Sequence, residues 1–253
     1  MKHRLLILMF ALIGLVTGGI AIMGYVSKER SEGEFEVLRE SIFQENLHGG
    51  ELETEQKIET QSGNNESQNP VLIAESYAIP AGLRELMTEN RSVVGWLTIA
   101  GSRIDYPVVQ NREDNEYFLH RDISGNNSYP GSIYLDSNHD MNSFGLHVLY
   151  GHNMKNGTMF HDITRFMDSQ YMEEHSDIDV YLNDRKLELE PVYCYADEAD
   201  GSYRGRYDTP DELCAFLKEK TGLDITGNIF VLITCSYNGE NERTYLICRE
   251  RGF

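Results

Sequence analysis

The 253-residue chain has little proline (6 residues), few cysteines (4), one tryptophan, and only 22 Lys+Arg against 41 Asp+Glu. So little proline excludes collagen-like and proline-rich classes. Four cysteines are too few for a disulfide scaffold in a chain of this length. The shortage of basic residues excludes a general nucleic-acid binder, because neutralising phosphates needs a surplus of Lys and Arg on some face. Removing residues 1–30 takes away Lys2, Arg4, Lys28 and Arg30 but only one acid, Glu29. The remainder then holds 18 basic against 40 acidic side chains, a formal charge of −22. Anionic lipid repels such a body, so any membrane contact must come from a dedicated segment.

That segment is Leu5 to Val26, LLILMFALIGLVTGGIAIMGYV, which has no charge in 22 residues. As a helix it spans roughly 33 Å, enough for a hydrocarbon core. Lys2 and Arg4 precede it, so residues 1–4 are expected to stay in the cytoplasm, with a single-pass topology and the rest outside. A cleaved signal peptide is the rival reading, but the apolar run exceeds the usual h-region and no A-x-A site follows. Residues 27–70 form the expected stalk and linker. Within them Phe35, Leu38, Ile42, Phe43 and Leu47 share one face of a helix over 32–47, which either stands as a stalk or packs on the domain. Residues 48–70 hold almost no apolar side chain and cannot offset their ordering entropy, so a flexible linker is expected there.

From residue 71 to 253 the composition is that of a folded domain. A short helix is expected over 80–90, with Pro80 near its first turn. Eight runs rich in β-branched and aromatic residues follow, over 93–100, 104–109, 132–136, 147–152, 178–182, 187–196, 228–235 and 243–250. Eight strands in this length predict a mainly β fold with helical insertions, a closed or nearly closed barrel. The insertions are expected over 158–174, with Met159, Phe160, Ile163, Phe166 and Met167 on one side, and over 209–221. The second begins with Thr209 as N-cap, Pro210 at the first helical position and acids in the first turn.

Cys194, Cys214 and Cys248 read as small buried apolar residues or as members of a disulfide whose pairing the sequence does not give. Cys235 differs. It ends the apolar strand VLIT and opens a polar loop, a place where a thiol is partly exposed and can act as a nucleophile. Such a thiol needs a partner that stabilises thiolate and passes a proton to a leaving amine. His152 also lies where a strand gives way to a loop, whereas His147, an odd number of residues earlier, faces the opposite side. Four His within 139–161 raise a metal site, but their spacing matches no zinc pattern and no His-Glu-x-x-His occurs. Arg243 follows the 236–242 loop. If its strand is the antiparallel neighbour of the Cys235 strand, the guanidinium lies across from the thiol and can hold a developing oxyanion. Otherwise it is a strand-edge cation paired with Glu240 or Glu242.

Taken together, VVGWLTIAGSRIDYPVVQ (93–110), YFLHRD (117–122), GSIYLD (131–136), LYGHNMKNGTMF (149–160) and LITC (232–235) followed by Arg243 closely resemble the class B sortases of Gram-positive bacteria. The resemblance runs through most of residues 80–250, and the helix at 209–221 is similar to the one that family carries before its Cys strand. It implies an eight-stranded sortase-type β-barrel behind N-terminal helices and a transmembrane anchor. It further implies a membrane-anchored cysteine transpeptidase at the cell surface that needs no metal or organic cofactor. Residue by residue, it makes Cys235 the nucleophile, His152 the acid/base and Arg243 the oxyanion and substrate-orienting group, with Tyr150, Ile233 and Thr234 at the substrate-binding surface. The family often has Ser two residues before the Cys. Ile233 stands there instead and withholds a hydroxyl from the substrate. The implied partners are secreted proteins bearing a C-terminal sorting signal and an amine of a peptidoglycan precursor or cross-bridge. Open alternatives are a pilus-polymerising sortase that uses a pilin lysine, a cysteine peptidase in which water replaces the amine, and a tethered surface-binding module without chemistry.

Overall fold

The computed structural model describes residues 33–43, 79–237 and 239–252. The apolar segment 5–26, the tip 1–4, Leu47 and the linker 48–70 lie outside the described residues. Among the described residues no helix is long and apolar enough to cross a membrane.

All eight expected strands form: β1 (Val93–Ile99), β2 (Asp105–Val109), β3 (Ile133–Leu135), β4 (Leu146–Tyr150), β5 (Ile178–Tyr181), β6 (Lys186–Glu198), β7 (Ile229–Cys235) and β8 (Glu242–Glu250). They close into a barrel in the order β1-β2-β3-β4-β7-β8-β6-β5. Six of the neighbouring pairs are antiparallel, and β2–β3 and β4–β7 are parallel. Parallel neighbours need a long crossover, and the one from β4 to β7 spans residues 151–228.

The run IFVLITC is continuously apolar because β7 is covered on both faces. Phe230 and Leu232 join one core cluster with Leu97, Val108, Leu149, Phe160 and Leu246. Ile229, Val231 and Ile233 join a second with Val148, Ile247, Leu213 and Leu217. The last two come from the helix Pro210–Thr221, which starts as expected: Thr209 Oγ1 accepts from the Glu212 N–H at 3.3 Å. Burying each such leucine contributes roughly 1.5–3 kcal/mol.

Pro80 lies at the first turn as expected, as the N-cap of the helix Ala81–Glu89. One local expectation changes. The expected 158–174 helix is two pieces, a 3-10 helix His161–Met167 and an α-helix Ser169–Glu174. Asp168 divides them, since its carboxylate accepts from the Gln170 and Tyr171 N–H groups and starts a new helix. That break leaves Met167 52% exposed, whereas Phe160, Ile163 and Phe166 are buried. Residues 33–43 are helical and lie on the barrel: Ile42 is buried against Leu83 and Trp96, and Phe43 meets the Trp96 ring edge-on at 5.6 Å.

His147 is fully buried on the face of β4 that carries Leu149, against the Phe230 ring. Its Nε2 meets Asn228 Oδ1 at 2.8 Å, and its Nδ1 has no partner among the described residues. Burial pushes its pKa down from 6.5 to about 4. Because the folded value lies below the unfolded one, the unfolded chain takes up a proton first as pH falls, and stability is lost between about 6.5 and 4. Burial also lowers His139, which acts in the same direction. From pH 7 to pH 5 the His147 contribution is expected to cost about 2 kcal/mol. His147→Leu should flatten the acid limb of urea-unfolding midpoints. Parallel losses in wild type and variant would show that His147 is not responsible.

Candidate active site

The register of three adjacent strands assembles the site. β4 and β7 run parallel with Tyr150 opposite Ile233, and the Gly151 N–H continues the ladder to the Ile233 carbonyl at 3.2 Å. Two more residues on each strand bring His152 alongside Cys235. Both emerge on the side of the sheet that carries Val148, Tyr150, Val231 and Ile233, by the period-two alternation of strands. On the other flank β7 and β8 are antiparallel, and Cys235 pairs directly with Arg243. Histidine, cysteine and arginine thus lie in one row across β4, β7 and β8. The three line a common cavity of about 280 Å³.

The residue before His152 has to be glycine. A Cβ on Gly151 would stand 2.4 Å from Ile133 Cδ1 and 2.7 Å from the Phe160 ring. This close approach lets the chain leave β4 while staying pinned to β7. The Thr234 hydroxyl completes the pin by donating to the Gly151 carbonyl at 2.8 Å.

His152 Nε2 lies 2.9 Å from the Leu119 carbonyl, which can only accept, so Nε2 carries a proton. The neutral ring therefore offers Nδ1 as its base. Burial lowers the His152 pKa below 6.5, the Leu119 carbonyl partly offsets this, and His120, stacked on it with centroids 5.2 Å apart, lowers it further. Near pH 7 the ring is mainly neutral and can act as a base.

Arg243 donates from Nη1 to the Glu242 carbonyl at 3.1 Å. The Glu242 carboxylate accepts from the Ser236 hydroxyl instead, and among the described residues Arg243 forms no ion pair. Its remaining donors are available to a carbonyl oxygen in the cavity. The surrounding wall is rigid and polar. Tyr150 donates its hydroxyl to buried Asp136 at 3.0 Å, and Arg204 holds the same carboxylate oxygen at 3.0 Å. Ile233 and Thr234 also line the cavity. Both are nearly fully buried, and the Thr234 hydroxyl is engaged by Gly151.

The other thiols stand apart. Burial pushes Cys194 up to about 12 and Cys248 well above the ordinary thiol range. All four cysteines are free, so no disulfide joins them. The four histidines of 139–161 have separate partners, and among the described residues no group of three His, Cys, Asp or Glu side chains gathers as a metal site.

No family model matches the chain. The chain is 34% identical over 126 residues to sortase B of Listeria monocytogenes, a stretch covering 48% of this chain and 49% of that protein, so the match spans about half the relative's length. The structure of Clostridium perfringens sortase B superposes with a TM-score of 0.60 at 29% identity, covering 66% of this chain and 98% of that one. A Staphylococcus aureus sortase B–substrate complex shares the fold at a TM-score of 0.68 and 20% identity, covering 88% of this chain and 96% of that one. The chain is thus similar to sortase B proteins in sequence over about half its length, and in fold.

One member of this site has no signature in the sequence beyond its place after His152. Asn153 is 6% exposed, and its side-chain N–H donates to the Cys235 carbonyl at 2.9 Å. Its Oδ1 accepts from His161 Nδ1 at 2.8 Å, and its own carbonyl accepts from the Tyr237 hydroxyl. One residue therefore ties the loop after His152 to Cys235 and to the loop that follows it. An asparagine in a loop is normally read as turn chemistry, and only the tertiary contact reveals this role.

Proposed function

We propose that this chain is a membrane-anchored cysteine transpeptidase that cleaves a C-terminal sorting signal of secreted proteins and transfers them to an amine of the cell wall. The row His152–Cys235–Arg243 across three neighbouring strands carries this reading, together with the homology to class B sortases. Thiolate Cys235 attacks a backbone carbonyl of the signal. Arg243, across the ladder, receives the developing oxyanion. The imidazolium form of His152 protonates the leaving amine, the C–N bond breaks, and a thioester remains. An amine then attacks the thioester carbonyl, neutral His152 takes its proton, and the thiolate departs as the new amide forms. No step calls for a metal or an organic cofactor. The apolar segment 5–26 supports an anchor that holds the domain outside, where both substrates would be found.

One assay tests chemistry and orientation together. Intact protoplasts are given a membrane-impermeant quenched peptide carrying a candidate sorting signal, with and without added amine. Cleavage outside the cell, with an amine adduct that grows at the expense of hydrolysis, is expected. Adduct formation only after detergent lysis would overturn the outward orientation. Hydrolysis that no amine diverts would replace transpeptidase with peptidase.

A further inference from the structure

Beyond the loop that follows His152 lies a second cavity of about 510 Å³. Arg103, Lys155, His161 and Arg165 all line it, with Asp162 as the one acid. Asp162 is buried and already engaged: it accepts from the Arg103 backbone N–H at 3.0 Å and lies 3.6 Å from Arg165 Nη1. Three permanent cations against one internally engaged carboxylate make this a cationic groove on a body whose overall charge is strongly negative. Its shape is held in place. Arg103 Nη1 donates to the Asn156 carbonyl at 3.0 Å, and the Arg165 guanidinium stacks 4.0 Å above the Tyr171 ring. Gly157 has φ +87°, and a Cβ there would stand 2.6 Å from Arg103 Nη1 and displace it. Among the described residues neither Arg103 nor Lys155 forms an ion pair.

The groove abuts the active site. Lys155 is three residues beyond His152 and lies 5.8 Å from the Tyr237 ring, in the loop that leaves Cys235. His161, on the groove wall, meets Asn153 at 2.8 Å, and Asn153 holds the Cys235 carbonyl. We propose that this groove binds an oxyanion group, carboxylate or phosphate, of the amine that attacks the Cys235 thioester, and so selects anionic amine acceptors over neutral ones. The inference rests on the transpeptidase reading. It adds that the acceptor's negative charge is recognised on the side of the site reached through Asn153 and Lys155. Oxyanions suit paired guanidinium forks geometrically as well as by charge.

The test reads how the thioester partitions. Full-length protein in detergent is acylated by a cleavable peptide, and aminolysis is measured against hydrolysis of the same intermediate. Nα-acetyl-lysine is compared with its neutral amide, and O-phosphoethanolamine with ethanolamine. The wild type is expected to favour each anionic amine over its neutral counterpart by about tenfold, with the preference shrinking at 1 M salt, where the Debye length falls to about 3 Å. The larger preference of the two pairs tells carboxylate from phosphate. Arg103→Gln/Lys155→Gln/Arg165→Gln should lose the preference, and Arg103→Lys/Arg165→Lys, which keeps the charge and guards against misfolding of the neutral variant, should retain most of it. Equal partitioning of charged and neutral amines by the wild type would overturn the groove while leaving transpeptidation intact. Failure to form the thioester at all would overturn the underlying reading instead. A preference that survives in the charge-free variant would place anion recognition elsewhere.

Discussion

Cys235→Ala is expected to abolish both cleavage and transfer, a loss on the order of 10⁶-fold if the nucleophile is as dominant as in other acyl-transfer sites. The fold should survive, because Cys235 ends β7, is only partly buried and leaves no large void when truncated. The three other thiols provide the contrast. Cys248 is fully buried between strands, Cys194 lies in β6 with its thiol toward the Ile163 carbonyl at 3.8 Å, and Cys214 is on the helix that covers β7. Each Ala substitution there should keep the chemistry, although Cys248→Ala should lower the melting temperature through a small cavity. Intact-mass detection of an acyl-enzyme with a sorting peptide separates the four variants. An acyl adduct on the Cys235→Ala protein would move the nucleophile to another residue.

The strands and the site residues were legible for different reasons. Each strand announces itself as a short run of β-branched and aromatic residues between turn clusters, and all eight runs are strands. The helix at 210–221 was equally plain, because Thr209, Pro210 and two acids mark its first turn. The 158–174 segment reads as one helix in sequence because Asp168 looks like an ordinary polar position, whereas its carboxylate caps the next turn. The antiparallel pairing of Cys235 with Arg243 is one of two readings that the short loop between their strands leaves open, and the register settles it. The pairing of His152 with Cys235 could not follow in the same way, since β4 and β7 are parallel and the crossover between them carries two strands and several helical pieces. Strand-end position and the family resemblance point to His152, and alternation turns His147 away from it. Asn153 and the Arg103–Lys155–Arg165 groove were invisible, because their members come from distant segments and each has an ordinary surface or turn role when read singly.

Arg243→Lys is the other substitution with a large expected effect, because it separates charge from geometry. Lysine keeps the positive charge but loses the planar five-donor fork. In the structure Arg243 uses Nη1 on the Glu242 carbonyl, so one guanidinium must anchor to its own strand and still present donors to the cavity. An ammonium on a flexible stem cannot be oriented in this way. Loss of one oxyanion donor costs about 10²–10³ in kcat, and Arg243→Lys is expected to fall in that range in single-turnover acylation of Cys235, with Arg243→Ala at least as impaired. If Arg243 served only as an exposed cation beside Glu240 or Glu242, its contribution would be about 0–1 kcal/mol and lysine would restore nearly all of it. The Glu242 carboxylate is instead held by Ser236, which argues against that pairing. A Lys variant within a few-fold of wild type would remove Arg243 from the chemistry and leave a Cys235–His152 dyad whose oxyanion is stabilised by other donors.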